Sequence, residues 1–162
     1  MTALADITNW RRLDARTTTS GQPAAAQLAQ IASLGTGHVI NLGLQTHERA
    51  LPDEAGTVAA LGMAYIHIPV AFDAPREADF TRFLAALAQA QSAPVHVHCI
   101  LNARVSAFFY RYRREILHWD EAPARAALES IWRPGGVWAA FIGDQDAAQR
   151  PHLYAGVDYP PG

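Results

Sequence analysis

Lysine is absent from this chain of 162 residues, and cysteine occurs once. All 13 basic residues are therefore arginine, a usage that reads as genomic base composition. A single cysteine cannot close an internal disulfide, which excludes the disulfide-stapled scaffolds and fits a reducing cytoplasm. It also leaves no resolving partner for thiol redox exchange within the chain. Charge is sparse: charged residues make up 17%, and the net charge is −2 with a pI near 6.4. That balance offers no basic face to nucleic acid or an anionic membrane. No apolar run approaches the roughly 20 residues of a membrane span. The first dozen residues lack the basic start and long apolar stretch of a secretory signal. Half the residues are hydrophobic, which excludes disorder for most of the chain and predicts one domain with a sizeable core.

Gly and Pro divide the chain into short elements. The spacing predicts a helix over Ala24–Leu34, a buried strand over His38–Leu42 and a helix opening at Pro52 and closing before Gly62. A strand follows over Met63–Val70, then a helix over Glu77–Ala90 with Phe80, Phe83, Leu84 and Leu87 as its apolar stripe. Val95–His98 reads as a strand and Val105–Arg114 as a helix. Two further helices follow, one capped by Asp120 and one over Gly136–Ile142, and the segment from Gly143 to Gly162 reads as an extended tail. Strands alternating with helices predict an α/β domain over residues 1–142, with a central, mostly parallel sheet flanked by helices. Ligands of such sheets bind at the carboxyl ends of strands.

Cys99 lies at one of those ends, directly before a helix. A strand-to-helix loop presents backbone N–H groups and the positive end of a helix dipole, which suits a phosphate. The same surroundings favour a thiolate, the nucleophilic form of cysteine. Arg104 follows five positions later, and a guanidinium can grip two phosphate oxygens at once. Cysteine, cradle and arginine together predict phosphoryl transfer through a cysteinyl-phosphate, with a phosphate or sulfate ion held by Ile100, Leu101, Asn102, Ala103 and Arg104. No compact set of metal ligands accompanies them. His67, His96, His98 and Cys99 offer at most a weak zinc set, so no metal or other cofactor is expected.

His98-Cys99, Arg104 and Ser106 resemble the signature of the cysteine-dependent protein tyrosine and dual-specificity phosphatases: His-Cys, five residues, Arg, then Ser or Thr. Here four residues separate Cys99 from Arg104, whereas Ser106 stands seven after the cysteine, where the family's hydroxyl belongs. Asn102 takes the place of a family glycine, a mild exchange because Asn tolerates left-handed backbone. Ser20-Gly21-Gln22-Pro23, Val39–Leu42, Leu51-Pro52-Asp53-Glu54, Tyr65–Val70 and Val137–Phe141 are similar to a bacterial branch of that superfamily. Its members are phosphatase-like proteins related to the domain fused to β-lactamase-like hydrolases.

The resemblance implies a dual-specificity-phosphatase-like fold and hydrolysis of a phosphomonoester, on a protein or small molecule. It implies that Cys99 is the nucleophile and that Arg104 binds phosphate. Ser106 either donates to the thiolate or is an ordinary helix-capping residue. His98 braces the loop from behind. Asp73, on the loop after Tyr65–Val70, is the candidate general acid; it could equally be a turn residue, with Asp79 the weaker substitute. Two loop geometries remain open. Either the loop is one residue short and Arg104 closes it, or Val105 takes the arginine's place and Arg104 points elsewhere. The alternative function is a catalytically weak module that captures phosphorylated ligands.

Overall fold

A computed structural model describes residues 3–155. The chain divides into two compact units. One runs to Ala71 and resumes over Glu77–Val105; the other takes Phe72–Arg76 and the chain from Ser106 onward. Among the described residues no helix is long and apolar enough to cross a membrane.

The first unit is built on a five-stranded sheet of β1 (Arg11–Arg12), β2 (Thr17–Ser20), β3 (His38–Asn41), β4 (Ala64–His67) and β5 (Val95–His98). The spatial order is β1-β2-β5-β3-β4. Only β1 runs antiparallel, at the edge; β2, β3, β4 and β5 are parallel. With β5 between β2 and β3, its C-terminal end opens at the middle of the sheet. Helices α1 (Ala25–Ser33), α2 (Glu54–Ala60) and α3 (Glu77–Gln89) fall within the predicted spans. Leu28 and Ile31 of α1, Val39 of β3, Val58 of α2, Ile7 and Met63 form one buried cluster. The spacing of Phe80, Phe83 and Ala86 buries one face of α3.

Two starts differ from the sequence reading. Helix α2 begins at Glu54 rather than Pro52, because Asp53 adopts left-handed backbone (φ 50°) and its carboxylate accepts the Gly56 N–H as a cap. Strand β2 was not foreseen: Thr17-Thr18-Thr19-Ser20 has no apolar pattern, yet its last three residues are buried.

Helix α4 (Ala103–Arg111) starts two residues earlier than predicted and passes into a π-helical turn, Tyr112–Ile116. In the second unit follow α5 (Glu121–Glu129), β6 (Trp132–Arg133), α6 (Gly136–Phe141) and β7 (Leu153–Tyr154). The expected tail is partly ordered. Ala147–Gln149 forms a 3-10 turn, and β7 pairs antiparallel with β6; residues 156–162 of that tail lie outside the described residues. The core here is aromatic. Trp132 and Trp138 are fully buried against Phe72, with ring centroids 5.7 and 5.8 Å away, so both tryptophans pack the interior.

Candidate active site

The cysteine follows β5 without a gap, and the loop Cys99–Asn102 then feeds α4. Three consecutive carbonyls of this loop are held from outside. The Cys99 carbonyl faces Nδ1 of His98 at 3.0 Å. The Ile100 carbonyl accepts the Gln22 backbone N–H at 3.0 Å. The Leu101 carbonyl accepts Nδ2 of Asn9 at 2.8 Å. In a trans peptide the N–H points opposite the C=O. The N–H groups of Ile100, Leu101 and Asn102 therefore face away from those anchors. Asn102 turns the chain into α4 with φ 70°, in the left-handed region that Asn tolerates better than most residues. Its amide is tied to the Asn9 carbonyl (2.9 Å) and the Thr19 hydroxyl (3.1 Å).

Gly21 permits the close approach of the β2 end to this loop. A Cβ there would lie 2.3 Å from the Ile100 carbonyl oxygen and 2.9 Å from a Thr8 methyl. No side chain fits, so only glycine lets Gln22 reach Ile100.

Behind the loop lie two buried imidazoles with different roles. Both nitrogens of His98 face acceptors: the Cys99 carbonyl at Nδ1 and Oε2 of Glu54 at Nε2, 2.5 Å away. A carbonyl cannot donate, so Nδ1 carries a proton, and a second proton lies on the contact to Glu54. Burial pushes the Glu54 carboxyl up, but the hydrogen bond and charge of His98, with smaller help from Gln22 and His67, outweigh it and leave it lowered. The pair is thus a buried imidazolium–carboxylate contact. Sequence reasoning gave Glu54 no role. In the chain it is an ordinary acidic first-turn residue, and its pairing with His98, 44 positions away, leaves no local signal.

His96 is wholly buried, and burial, with the His98 charge beside it, pulls its pKa well below the usual imidazole value. It is neutral. Ser20 spends its one proton on the Gly21 carbonyl (2.6 Å), so it accepts from Nε2 of His96 (2.9 Å). Nδ1 then accepts from the Thr18 hydroxyl at 2.8 Å. With both nitrogens of each ring engaged, neither histidine turns a lone pair toward a metal. Among the described residues no group of three or more His, Cys, Asp or Glu is placed to hold a metal ion.

Cys99 is buried, as are Ile100, Asn102, Ala103 and Arg104, with Leu101 half-buried. Arg104 donates through Nη1 to the Val70 carbonyl at 2.8 Å, and Val105 beside it is fully buried in the core. Ser106 lies in the first turn of α4 but after its start, so it does not cap that helix. It belongs to the second unit, as does Asp73. Asp73 is exposed in a turn directly after Phe72, whose carbonyl accepts Nε1 of Trp138 at 2.6 Å. Asp79 is buried within α3 of the first unit.

Residues 9–111 match the phosphatase-like domain of the Beta-lactamase hydrolase-like protein family. Among solved structures, the DUF442 protein of Shewanella putrefaciens CN-32 is 30% identical with a TM-score of 0.76; the match covers 86% of this chain and 91% of that one. TpbA of P. aeruginosa is 20% identical with a TM-score of 0.65, covering 92% and 83%. The core catalytic domain of the PP-IP phosphatase SIW14 from S. cerevisiae is 12% identical with a TM-score of 0.69, covering 88% and 90%. The last two show the shared fold alone. No curated protein matches the chain.

Proposed function

We propose, for a chain that belongs to the phosphatase-like domain family of the Beta-lactamase hydrolase-like proteins, that it hydrolyses a phosphomonoester through a cysteinyl-phosphate. The observation that carries the reading is the outward tethering of the Cys99, Ile100 and Leu101 carbonyls. It presents consecutive N–H groups on the opposite side of the loop that bears the thiol, at a helix start, which is how backbone binds a phosphate. Arg104, buried and pinned by Nη1 to Val70, supplies the cation of a loop shortened by one residue. Val105, sunk in the core, is no substitute.

In this reading the Cys99 thiolate attacks phosphorus, and the sulfur–phosphorus bond forms as the ester oxygen leaves. Asp73 gives that oxygen a proton, then takes one from the water that releases inorganic phosphate. Ser106 donates a hydrogen bond to the departing thiolate. The substrate is a phosphorylated protein or small molecule. A TpbA variant has been solved in complex with pTyr, and SIW14 in complex with citrate; anionic ligands in these related folds support the same class here.

The test is hydrolysis of p-nitrophenyl phosphate by wild type and Cys99→Ser, with phosphate binding measured in parallel. Serine keeps the loop's shape but is a far poorer nucleophile. Turnover should vanish while phosphate binding persists. Equal turnover by both proteins would rule out the covalent path. Binding without turnover by wild type on a broad phosphoester panel would make this a phospho-ligand-binding module.

A further inference from the structure

We infer that Glu54 is a positioning residue for the anion-binding loop, holding two successive loop carbonyls through two arms. The inference rests on the function proposed for that loop. One arm runs from Oε2 to Nε2 of His98 (2.5 Å), and from Nδ1 of the same ring to the Cys99 carbonyl (3.0 Å). The other runs from Oε1, which accepts Nε2 of Gln22 at 2.8 Å. The backbone N–H of that same Gln22 meets the Ile100 carbonyl at 3.0 Å. A single carboxylate, 1% exposed, thus serves both oxygens of its own fork and two adjacent peptide planes of the loop.

In the wild type both arms end on oxygens of one carboxylate. The imidazole must donate at both nitrogens to satisfy the Cys99 carbonyl and Glu54 together. A doubly protonated ring in a water-free interior needs a counter-charge, and Glu54 is the one in contact. The second carboxylate oxygen fixes the Gln22 side chain, whose other amide hydrogen is taken by the Pro23 carbonyl at 3.0 Å. Gln22 is therefore held on both sides of its amide nitrogen, and its backbone N–H cannot swing away from Ile100. When the planes of Cys99 and Ile100 are fixed, so are the N–H groups of Ile100 and Leu101, the first two donors of the cradle. Glu54 itself touches neither substrate nor nucleophile; it acts on the loop through His98 and Gln22.

Glu54→Gln and Glu54→Ala separate the two parts of this role. Glutamine keeps an acceptor for Gln22 and a partner for the ring but removes the charge. Alanine removes both arms. In Glu54→Ala, inhibition by inorganic phosphate and kcat/KM for p-nitrophenyl phosphate should both weaken at least tenfold. In Glu54→Gln, phosphate inhibition should recover to within about threefold of wild type. Gln22→Met, which cuts the second arm without stranding a buried charge, should show an intermediate loss.

Two NMR readings decide the matter apart from activity. Side-chain 15N shifts of His98 should show both nitrogens protonated in wild type and only one in Glu54→Gln. The amide resonances of Ile100 and Leu101 should move in Glu54→Ala or, if that variant does not fold, in Gln22→Met. A His98 ring that stays doubly protonated in Glu54→Gln would overturn the inference. So would wild-type phosphate affinity in folded Glu54→Ala, or unmoved loop amides. A wild type that neither binds phosphate nor turns over would defeat the proposed function instead, and the NMR readings would still decide whether Glu54 sets the loop.

Discussion

The contribution of His96 to stability should fall with pH well before the carboxylates protonate. The folded ring is fully buried, and burial, then the neighbouring His98 charge, holds its pKa well below 6.5. The unfolded ring titrates near 6.5. Below that value the unfolded chain takes up a proton that the folded chain refuses, so stability falls as pH falls. From pH 7.5 to 5.5 the loss due to this one group is about 1.4 kcal/mol, and it grows by roughly 1.4 kcal/mol per further unit until the buried ring itself protonates. Glu54 does not interfere in that window. Its folded carboxyl is lowered from 4.5, so its contribution is fully present above that value and is lost only in stronger acid. Urea unfolding at pH 7.5 and 5.5, on wild type and His96→Gln, isolates the effect. Glutamine carries one donor group and one acceptor to meet Ser20 and Thr18, but it does not titrate. Wild type should lose about 1.4 kcal/mol more than the variant between the two pH values. Parallel losses would show that His96 is protonated in the folded state and would refute the neutral bridge between Thr18 and Ser20.

Gly21→Ala should destabilise by about 1–3 kcal/mol, since its Cβ would sit 2.3 Å from the Ile100 oxygen and something must move; a melting temperature within about a degree of wild type would contradict the contact. The same variant should weaken phosphate inhibition, because the strained atom belongs to the loop. Arg104→Lys keeps the charge but loses the planar fork, and kcat/KM should drop at least tenfold, about 1.4 kcal/mol of transition-state binding; a near-silent change would overturn the shortened-loop geometry while leaving Cys99 in place. EDTA should not alter turnover, since both nitrogens of His96 and His98 already have partners; activity lost to the chelator and restored by zinc would reverse that assignment.

The alternation of elements and the position of Cys99 were legible because apolar periodicity and Gly or Pro punctuation are local signals. The helix ends at Ala25–Ser33 and Glu77–Gln89 fall where Gly35 and the apolar stripe put them. Strand β2 was not legible, because a strand of hydroxyls looks like a loop until its partners are known. The same holds for Glu54, whose role exists only once α2 faces β5. The loop's residues could be named from spacing, but what aims its peptides could not. Asn9, Gln22 and His98 do that work from three separate parts of the chain.

The hydroxyl strand also answers a question of alignment. Thr17, Thr18, Thr19 and Ser20 differ so little in size that packing alone would not choose among neighbouring registers against β5. Thr18 opposite His96 and Ser20 opposite His98 are the pairings adopted, and the His96 ring spans Thr18 and Ser20 as a two-pronged key. A slip of two residues would strand at least one ring nitrogen in a dry interior, at about 1–3 kcal/mol for each unsatisfied group. A slip of one would offer Thr17 and Thr19 to the ring instead, but it would move Gly21 from the one place where a residue without Cβ must lie against the Ile100 carbonyl oxygen. The ring and Gly21 together thereby set the phase of β2. Because Gln22 follows that strand directly, the same setting delivers the Gln22 N–H to Ile100, so the alignment of two strands and the aim of the loop are fixed together.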